Sequence, residues 1–114
     1  MTFLDGVVNV VSIQTDTDGS NFNTFYTVPS GRFAVVSIEA LEFANTSSAN
    51  NLTLTRDGEF IAIFDPTSNN DRTGAVEIGS TQFFLSAGDS LQLRSSSSST
   101  NNRIFCTALE YNLP

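Results

Sequence analysis

Short runs of Val, Ile, Thr, Phe and Leu, separated by Gly, Pro, Asn, Asp and Ser, fill this chain from end to end. Apolar residues do not recur at helical spacing over any useful length, whereas several runs alternate between apolar and polar residues as strands do. The pattern predicts an all-β chain. The predicted strands are Val7 to Ile13, Phe22 to Val28, Arg32 to Phe43, Asn51 to Arg56, Glu59 to Phe64, Ala75 to Ile78, Thr81 to Ser86, Ser90 to Arg94 and Arg103 to Tyr111.

Chain length limits these runs to one core. A chain of 12.3 kDa exposes about 6,100 Å² when folded and about 17,800 Å² when unfolded, which suits one modest core. Two smaller domains would each need disulfides or a bound metal for stability, and the single cysteine, Cys106, cannot form an intrachain disulfide. We therefore expect residues 1–114 to form one jelly-roll-like β-sandwich of eight or nine antiparallel strands. Residues 1–6 are a candidate N-terminal arm, with a plain first strand as the alternative.

The dipeptide Asp57-Gly58 is the strongest hairpin signal in the chain, because both residues suit the positive φ angles of a type I′ turn. A two-residue loop there pairs Arg56 with Glu59 and Thr55 with Phe60. An uninterrupted register would then place Leu54 opposite Ile61, Leu52 opposite Ile63 and Phe64 opposite Asn51. In that register Phe60 and Phe64 point away from the core. Curvature and loops could cover the two rings, or a neighbouring subunit could.

A polar run from Ser95 to Asn102 separates two alternating segments, and we expect it to be the tip of a hairpin rather than a linker. Pairing Arg94 with Arg103 would leave Phe105, Leu109 and Tyr111 on one side of that hairpin. The two arginines would repel each other there, so we expect a carboxylate between them.

The charge of the chain excludes some partners. Twelve carboxylates and five arginines, with neither lysine nor histidine, give a net charge of −7. Nucleic-acid binding depends on lysine and arginine, so we expect no nucleic-acid partner. No segment has the apolar length of a membrane span, and the chain start lacks a signal-peptide pattern, so we expect a protein made in a host cytoplasm without a membrane partner.

Few chemical functions are open to this composition. Without histidine or lysine there is no base for Ser-His-Asp or Cys-His catalysis, and zinc sites built on Cys and His are excluded. The segment Asp16 to Asn21 resembles part of a calcium loop, but Gln14 and Phe25 would occupy positions that need acids. We expect a turn there, a buried inert Cys106, no cofactor, no metal and no enzymatic activity.

Three segments carry a resemblance: FYTVPSGRFAVVSIEALEFANTSSANNLTL, FFLSAGDSLQL and CTALEYNLP. An aromatic-x-Val-Pro-x-Gly turn opens a long apolar strand that ends near an Asn, and a Gly-Asp turn precedes a late strand. The matching residues are Tyr26, Val28, Pro29, Gly31, Asn45, Gly88 and Asp89. The pattern resembles small jelly-roll virion proteins of tailed bacteriophages. The resemblance implies a capsid decoration (cement) protein, or a neck, tail or fibre component, and it brings no catalytic residue.

The residues and the resemblance together favour a homotrimeric decoration protein of the virion that packs against copies of itself and the major capsid protein. Tail, neck or fibre modules that bind a host surface or a glycan are the alternative. A free sugar-binding domain is a weaker one, with Tyr26 and Tyr111 as its aromatic candidates. The predicted subunit interface comprises Phe3, Leu4, Phe60, Phe64, Arg94, Arg103, Phe105, Leu109 and Tyr111.

Overall fold

The computed structural model describes residues 6–17, 21–43, 51–64, 74–95 and 102–114, and for 74–81 it describes the backbone. These ranges contain eight strands. They are β1 (Val7–Asp16), β2 (Asn23–Thr27), β3 (Arg32–Phe43), β4 (Leu52–Arg56), β5 (Glu59–Phe64), β6 (Gly74–Leu85), β7 (Ser90–Ser95) and β8 (Arg103–Asn112). The predicted runs at Ala75 and Thr81 belong to one strand, β6, so nine runs make eight strands.

The strands form two antiparallel four-stranded sheets, which we call the first sheet (β1-β8-β3-β6) and the second sheet (β2-β7-β4-β5). Pairing is nested: β1 pairs with β8, β2 with β7, β3 with β6 and β4 with β5. A chain folded back on itself in this way and rolled into two sheets is a jelly roll. The all-β sandwich expected from the sequence is therefore confirmed.

The core fills the space between the two sheets. Its buried members come from both sheets: Tyr26, Val28, Ala34, Val36, Ile38, Leu41, Phe43, Leu52, Leu54, Leu85, Leu91, Leu93, Ile104, Cys106 and Ala108. Cys106 is buried, as expected, and burial raises the pKa of its thiol to about 12, with Glu39 adding to the shift. Because only the thiolate reacts as a nucleophile, this cysteine acts as a core residue.

Buried polar residues also join the sheets. The Tyr26 hydroxyl in β2 donates to Glu110 Oε2 in β8 over 2.6 Å. Farther along the sandwich, Asn102 Nδ2 donates to Ser95 Oγ over 2.7 Å, and Thr17 Oγ1 lies 3.2 Å from the same oxygen. These last three side chains are buried, so their hydrogen bonds offset the desolvation that burial costs them.

The run from Ser95 to Asn102 does not connect the two strands of a hairpin, and this prediction was wrong. It leaves β7 in the second sheet and returns in β8 of the first, so Arg94 and Arg103 are not paired across a ladder. Sequence alternation is the same on both flanks whether or not the chain changes sheet, and it therefore could not distinguish the two cases. Residues 96–101 lie outside the described residues.

The Asp57-Gly58 turn is confirmed, since both residues have positive φ (49° and 83°) and Arg56 pairs with Glu59. Beyond Thr55 and Phe60 the predicted register was wrong. Leu54 pairs with Ala62 and Leu52 with Phe64, which leaves Ile61 as an extra residue in β5. Such a bulge is common in an edge strand, and it turns every later side chain to the other face.

The chain enters β3 through a turn from Pro29 to Arg32. The Arg32 amide donates to the Pro29 carbonyl over 3.2 Å, so Pro29 is the first residue of the turn and Gly31 the third. Gly31 has a φ of 78°, a backbone conformation that residues other than glycine rarely adopt. The turn opens the long strand β3, as the resemblance implies.

The bulge in β5 makes a testable prediction. Ile63→Ala should change the free energy of unfolding by less than about 1 kcal/mol, because the bulge leaves Ile63 55% exposed on the outer face. Ile38→Ala is the matched control, and it should cost about 2–5 kcal/mol because Ile38 is buried in the core. Urea unfolding measures both. Equal losses at the two positions would mean that Ile63 points inward and that β5 has no bulge.

Candidate assembly surface

The outer face of the first sheet carries an apolar row that crosses all four strands. Val10 in β1 pairs with Leu109 in β8, Leu109 pairs with Val35 in β3, and Val35 pairs with Phe84 in β6. Neighbours on either side of these positions face the core, so the pleat turns all four side chains outward. We call these four residues the apolar row.

Exposure is uneven along the apolar row. Phe84 and Val10, at the two edges, are 65% and 58% exposed. Val35 in the centre is only 3% exposed, although it does not belong to the core cluster between the sheets. The row therefore has two exposed ends, Val10 and Phe84, on either side of a buried centre.

A second apolar pair extends the surface toward the end of β8. Phe33 pairs with Tyr111, and their rings are stacked with centroids 4.9 Å apart and planes 7° from parallel. Stacked rings on an outer face hold each other in place and offer flat apolar area to a partner. The apolar row and this ring pair together form what we call the apolar face.

Polar residues border the apolar face. The next row on the same side is Ser12, Thr107, Ser37 and Gln82. Gln82 Nε2 donates to Ser37 Oγ over 3.1 Å and the Thr107 hydroxyl donates to Glu39 Oε1. The apolar face therefore ends at a row of uncharged side chains, three of which have these hydrogen-bond partners, and the exposed carboxylate of Glu39 lies beside that row.

The outer face of the second sheet is different in kind. The row that crosses its four strands is Thr24, Gln92, Thr55 and Phe60, joined in register strand by strand. The Thr55 hydroxyl donates to Gln92 Oε1 over 2.8 Å, and the Gly58 amide donates to the same oxygen. Apart from Phe60 at its edge, this row is polar and internally hydrogen-bonded.

Of the predicted interface residues, Leu109 and Tyr111 lie in the apolar face. Phe105 points to the same side of β8, two rows farther along, and is half-buried. Phe60 is 64% exposed, but on the other sheet. Phe3 and Leu4 lie outside the described residues.

Phe64 does not point away from its own core, so that prediction was wrong. The extra residue at Ile61 turns the Phe64 ring inward, where it packs against the core cluster. Ile63 takes the outward position instead. A bulge cannot be read from alternation alone, because the residue it inserts is itself apolar.

Arg94 and Arg103 lie on different sheets and have different partners. The Arg94 guanidinium lies over the Phe22 ring, 4.7 Å from its centroid. Arg103 bonds Asp16 and lies 3.4 Å from Glu42 Oε1. The hydrogen bond between Arg103 and Asp16 lowers the pKa of Asp16 and raises the pKa of Arg103. The carboxylate expected beside Arg103 is present, but it does not bridge the two arginines.

Sequence reasoning missed the apolar row members Val10, Val35 and Phe84, and the ring of Phe33. One signal was available in β3, where Phe33, Ala34, Val35 and Val36 are apolar in succession. Such a run indicates a strand covered on both faces. Finding Phe84 and Val10 beside it required the strand order, which the sequence alone does not provide.

A buried carboxylate lies directly beneath the apolar face. Glu110 in β8 faces inward between Leu109 and Tyr111, is 2% exposed, and accepts hydrogen bonds from Tyr26, Arg32 and Asn9 over 2.6, 2.8 and 3.1 Å. Burial by itself would raise the pKa of Glu110, but these three hydrogen bonds outweigh it and hold the pKa below its ordinary value. Burial and the bond to Glu110 raise the pKa of Tyr26. Glu110 therefore remains ionised and fixes the position of β8.

Tyr26 is thus a core residue whose hydroxyl is bonded to Glu110, and it is 8% exposed. It cannot be a platform for a sugar ring, so that candidate was wrong. Tyr111 is stacked on Phe33.

An open polar cleft lies at the turns, lined by Arg56, Asp57, Glu59, Ser86 and Asp89. Asp57 Oδ1 accepts from the Ser90 amide and so joins the β4–β5 turn to the start of β7, and Asp89 Oδ2 accepts from the Ser86 amide within the turn before β7. Across the described ranges, no three His, Cys, Asp or Glu residues lie close enough to hold a metal ion. Those ranges also contain no helix long and apolar enough to cross a membrane.

Comparisons with known proteins identify the fold but no family. No family model matches this chain, and no curated protein matches it. A protein of the disulfide-linked pili that form Bacillus endospore appendages is 14% identical with a TM-score of 0.51, over 93% of this chain and 87% of that one. At this identity the likeness extends to the fold alone.

Two crystal structures of a pentameric capsid protein from metagenomic phage sequences are 22% identical with a TM-score of 0.43. They match over 86% of this chain, which spans 59% and 64% of the capsid chains. With a TM-score this low, the two matches carry no argument about this chain.

The carboxylate beneath the apolar face makes stability depend on pH. Glu110→Gln should lower the free energy of unfolding at pH 7 by about 1.5–3 kcal/mol, because the hydrogen bonds lose their charged acceptor. The folded-state pKa is lowered, so the stabilisation is fully present above the ordinary pKa of a glutamate and is lost as the pH falls through the folded-state value. The difference from wild type should be constant above about pH 5 and shrink below about pH 4.

Urea unfolding between pH 3 and pH 8 provides the measurement. Glu59→Gln is the control, since it removes the same charge from an exposed position and should change the free energy of unfolding by less than about 0.5 kcal/mol. A loss for Glu110→Gln that stayed constant down to pH 3 would show that ionisation of Glu110 does not contribute.

Proposed function

We propose that this chain is a structural protein of a bacteriophage virion, and specifically a capsid decoration protein that stabilises the head by packing between subunits. The observation that carries the proposal is the apolar row across the first sheet. Its residues come from all four strands of one sheet, and its two edge residues are more than half exposed. Exposed apolar side chains gathered on one face of a small domain favour a protein–protein contact there.

The contrast between the two sheets supports assembly through one side. The second sheet has a polar row at the equivalent level, with its Thr and Gln side chains bonded to each other. The exposed apolar residues of the second sheet, Phe60 and Ile63, both lie on its edge strand β5, whereas the apolar row crosses all four strands of the first sheet and is better placed to pack against a neighbouring subunit. The chain's net charge of −7 keeps free subunits soluble before they assemble.

The resemblance to small jelly-roll virion proteins supports the choice of particle. Two of the turns that carry it precede strands as the resemblance implies, and Gly31 and Gly88 have positive φ just before β3 and β7. Jelly rolls also occur in lectin domains, so the fold by itself does not choose between functions. The apolar face favours packing, because a sugar site needs polar groups that converge on a ligand.

The partners we propose are copies of this chain, in a homotrimer, and the major capsid protein. In this proposal the chain has no catalytic role, needs no cofactor and binds neither nucleic acid nor a membrane. The location we propose is the virion, after synthesis in the host cytoplasm.

The test is the location of this chain on purified particles of the phage whose genome encodes it. Mass spectrometry should detect the chain at a copy number comparable to that of the major capsid protein, and cryo-electron microscopy should place it on the outside of the head. Particles that lack the chain should release their DNA at lower temperature, because a decoration protein adds contacts between capsid subunits.

Other outcomes assign other roles. A few copies at the neck or tail would replace the decoration role with the tail, neck or fibre alternative. Absence from the particles together with saturable binding on a glycan array would overturn a virion role altogether.

A further inference from the structure

We propose that the open side of β1 pairs with β1 of a second copy, antiparallel and around a twofold axis through Ser12, so that two first sheets become one sheet of eight strands. The contact is made by backbone groups at the edge of the sheet rather than by the apolar face.

The backbone of β1 has hydrogen-bonding groups that point away from its own sheet. Among the described strands, β1 lies at the end of the first sheet and pairs with β8 alone. Its register is unbroken from Asn9 to Asp16, and one step farther the Thr17 amide donates to the Asn102 carbonyl over 2.8 Å. Hydrogen-bonded pairs alternate along an antiparallel ladder, so the odd-numbered residues of β1 bond β8. The N–H and C=O groups of the even-numbered residues point to the other side, and we call those of Val10, Ser12 and Gln14 the free edge.

The other three sheet edges carry features that protect them, and β1 does not. Short length, bulges and charges keep edge strands from pairing with other chains. β2 has five residues and a bulge at Phe25, β5 has the bulge at Ile61, and β6 contains Glu77 beside a break in its register. β1 keeps one register over eight residues and has no charged residue from Val7 to Thr15.

The inward side chains of β1 are incompletely covered. Val11 and Ile13 pack against the core cluster but are only half-buried. Their cross-strand partners in β8, Ala108 and Cys106, are buried. A strand added beside β1 would place further apolar side chains next to Val11 and Ile13 and remove more of their surface from water.

A second copy supplies the strand that fits this edge. Of the described edges, β1 offers the longest uninterrupted strand, so another β1 matches it best. An antiparallel copy centred on Ser12 places Val10 opposite Gln14 and Ser12 opposite Ser12, and these narrow pairs exchange backbone hydrogen bonds. The same register places Val11 opposite Ile13 on the inner side, a match of two β-branched side chains.

Charge allows two copies to meet at this edge. Each carries a net charge of −7, which opposes contact over most of the surface. In the proposed register Asp16 lies opposite the partner's Val8, about 27 Å along the strands from the partner's Asp16. The Glu39 carboxylate bonds Thr107 in β8, one strand in from β1, so the two β8 strands hold its copies about 14 Å apart. Both separations exceed the Debye length of about 8 Å at physiological salt.

The pairing goes beyond the proposed function and leaves the apolar face open. An antiparallel neighbour in the same sheet keeps its faces on the same sides, so both apolar faces lie on one side of the eight-stranded sheet. A twofold contact uses the same surface on both partners, whereas a homotrimer needs two different surfaces. A chain that makes both contacts therefore forms a hexamer.

The experiment measures the mass and the amide exchange of the full chain. Strand addition alone makes a small interface, and small interfaces are weak. At about 1 mM, a Kd of about 100 µM leaves about four-fifths of the chain paired. Sedimentation equilibrium at that concentration should give a dimer at twice 12.3 kDa, or a hexamer.

Amide exchange with water, measured by NMR, identifies the edge. The free-edge amides of Val10, Ser12 and Gln14 should exchange about 3-fold more slowly at 1 mM than at 50 µM, because pairing gives them acceptors. The amides of Val11 and Ile13 are internal controls, since they bond β8 in the single subunit, and their exchange should not slow. Association that leaves the free-edge amides unprotected would overturn the proposal, as would a chain that is monomeric at about 1 mM.

A charge at the axis should oppose the pairing. Ser12→Glu should weaken it about 5-fold, because two new carboxylates then lie directly opposite each other. Gln82→Glu is the matched control, because Gln82 is also exposed and lies in the same polar row at the opposite edge of the first sheet. It adds the same charge and should change the Kd by less than about 2-fold. Equal losses for the two folded variants would mean that net charge controls association, and would overturn the assignment to β1.

A disulfide tests the register. Ser12→Cys should form a disulfide between subunits, because the Cα atoms of a narrow pair lie about 5.5 Å apart, within the span of a disulfide. Cys106 is buried and should not compete. Gln14→Cys should not link, because its two copies lie about 14 Å apart along the strands. Linkage of Gln14→Cys without linkage of Ser12→Cys would rule out the axis through Ser12.

The pairing does not rest on the virion role, and the two fail separately. A dimer through β1 with no chain on particles would contradict the virion role alone. Chain on the head with unprotected free-edge amides in solution would contradict the pairing alone.

Discussion

The alternation of side chains along β8 is the constraint on which the rest of the structure depends. β8 lies inside the first sheet, hydrogen-bonded to β1 on one side and β3 on the other. Ile104, Cys106, Ala108 and Glu110 face the second sheet and are buried. The period of two then sends Leu109 and Tyr111 to the outer face. No single side chain of β8 can exchange faces without exchanging all of them, so the core and the apolar face are determined together.

Glu110 makes this arrangement costly to disturb. A carboxylate that is 2% exposed would be unfavourable without partners, and three donors from β1, β2 and the start of β3 satisfy it. Those donors come from both sheets, so the network holds the sheets in one relative position as well as holding β8 in one register. A slip of β8 by one residue would expose the carboxylate and bury Tyr111 in its place.

Local chemistry determined what could be predicted from sequence. Strand positions, the Asp57-Gly58 turn and the burial of Cys106 follow from residues close together in the chain, and all three are confirmed. The serine segment and Phe64 were predicted wrongly because a change of sheet and a bulge leave alternation intact while altering which strands meet. The apolar row needs four strands from distant parts of the chain in one order, and Phe84 looks like any core residue until that order is known.

Two opposing effects act on the association of a subunit with this surface. Exposed Phe84 and Val10 favour association, while a net charge of −7 disfavours it over the rest of the surface. Apolar attraction acts at contact, whereas repulsion between exposed charges extends over about a Debye length and weakens with salt. The charge therefore opposes encounters in most orientations, and contact is favoured where exposed apolar side chains are buried. Repulsion of this kind selects against alternative contacts, so specific association does not require charged pairs across an interface.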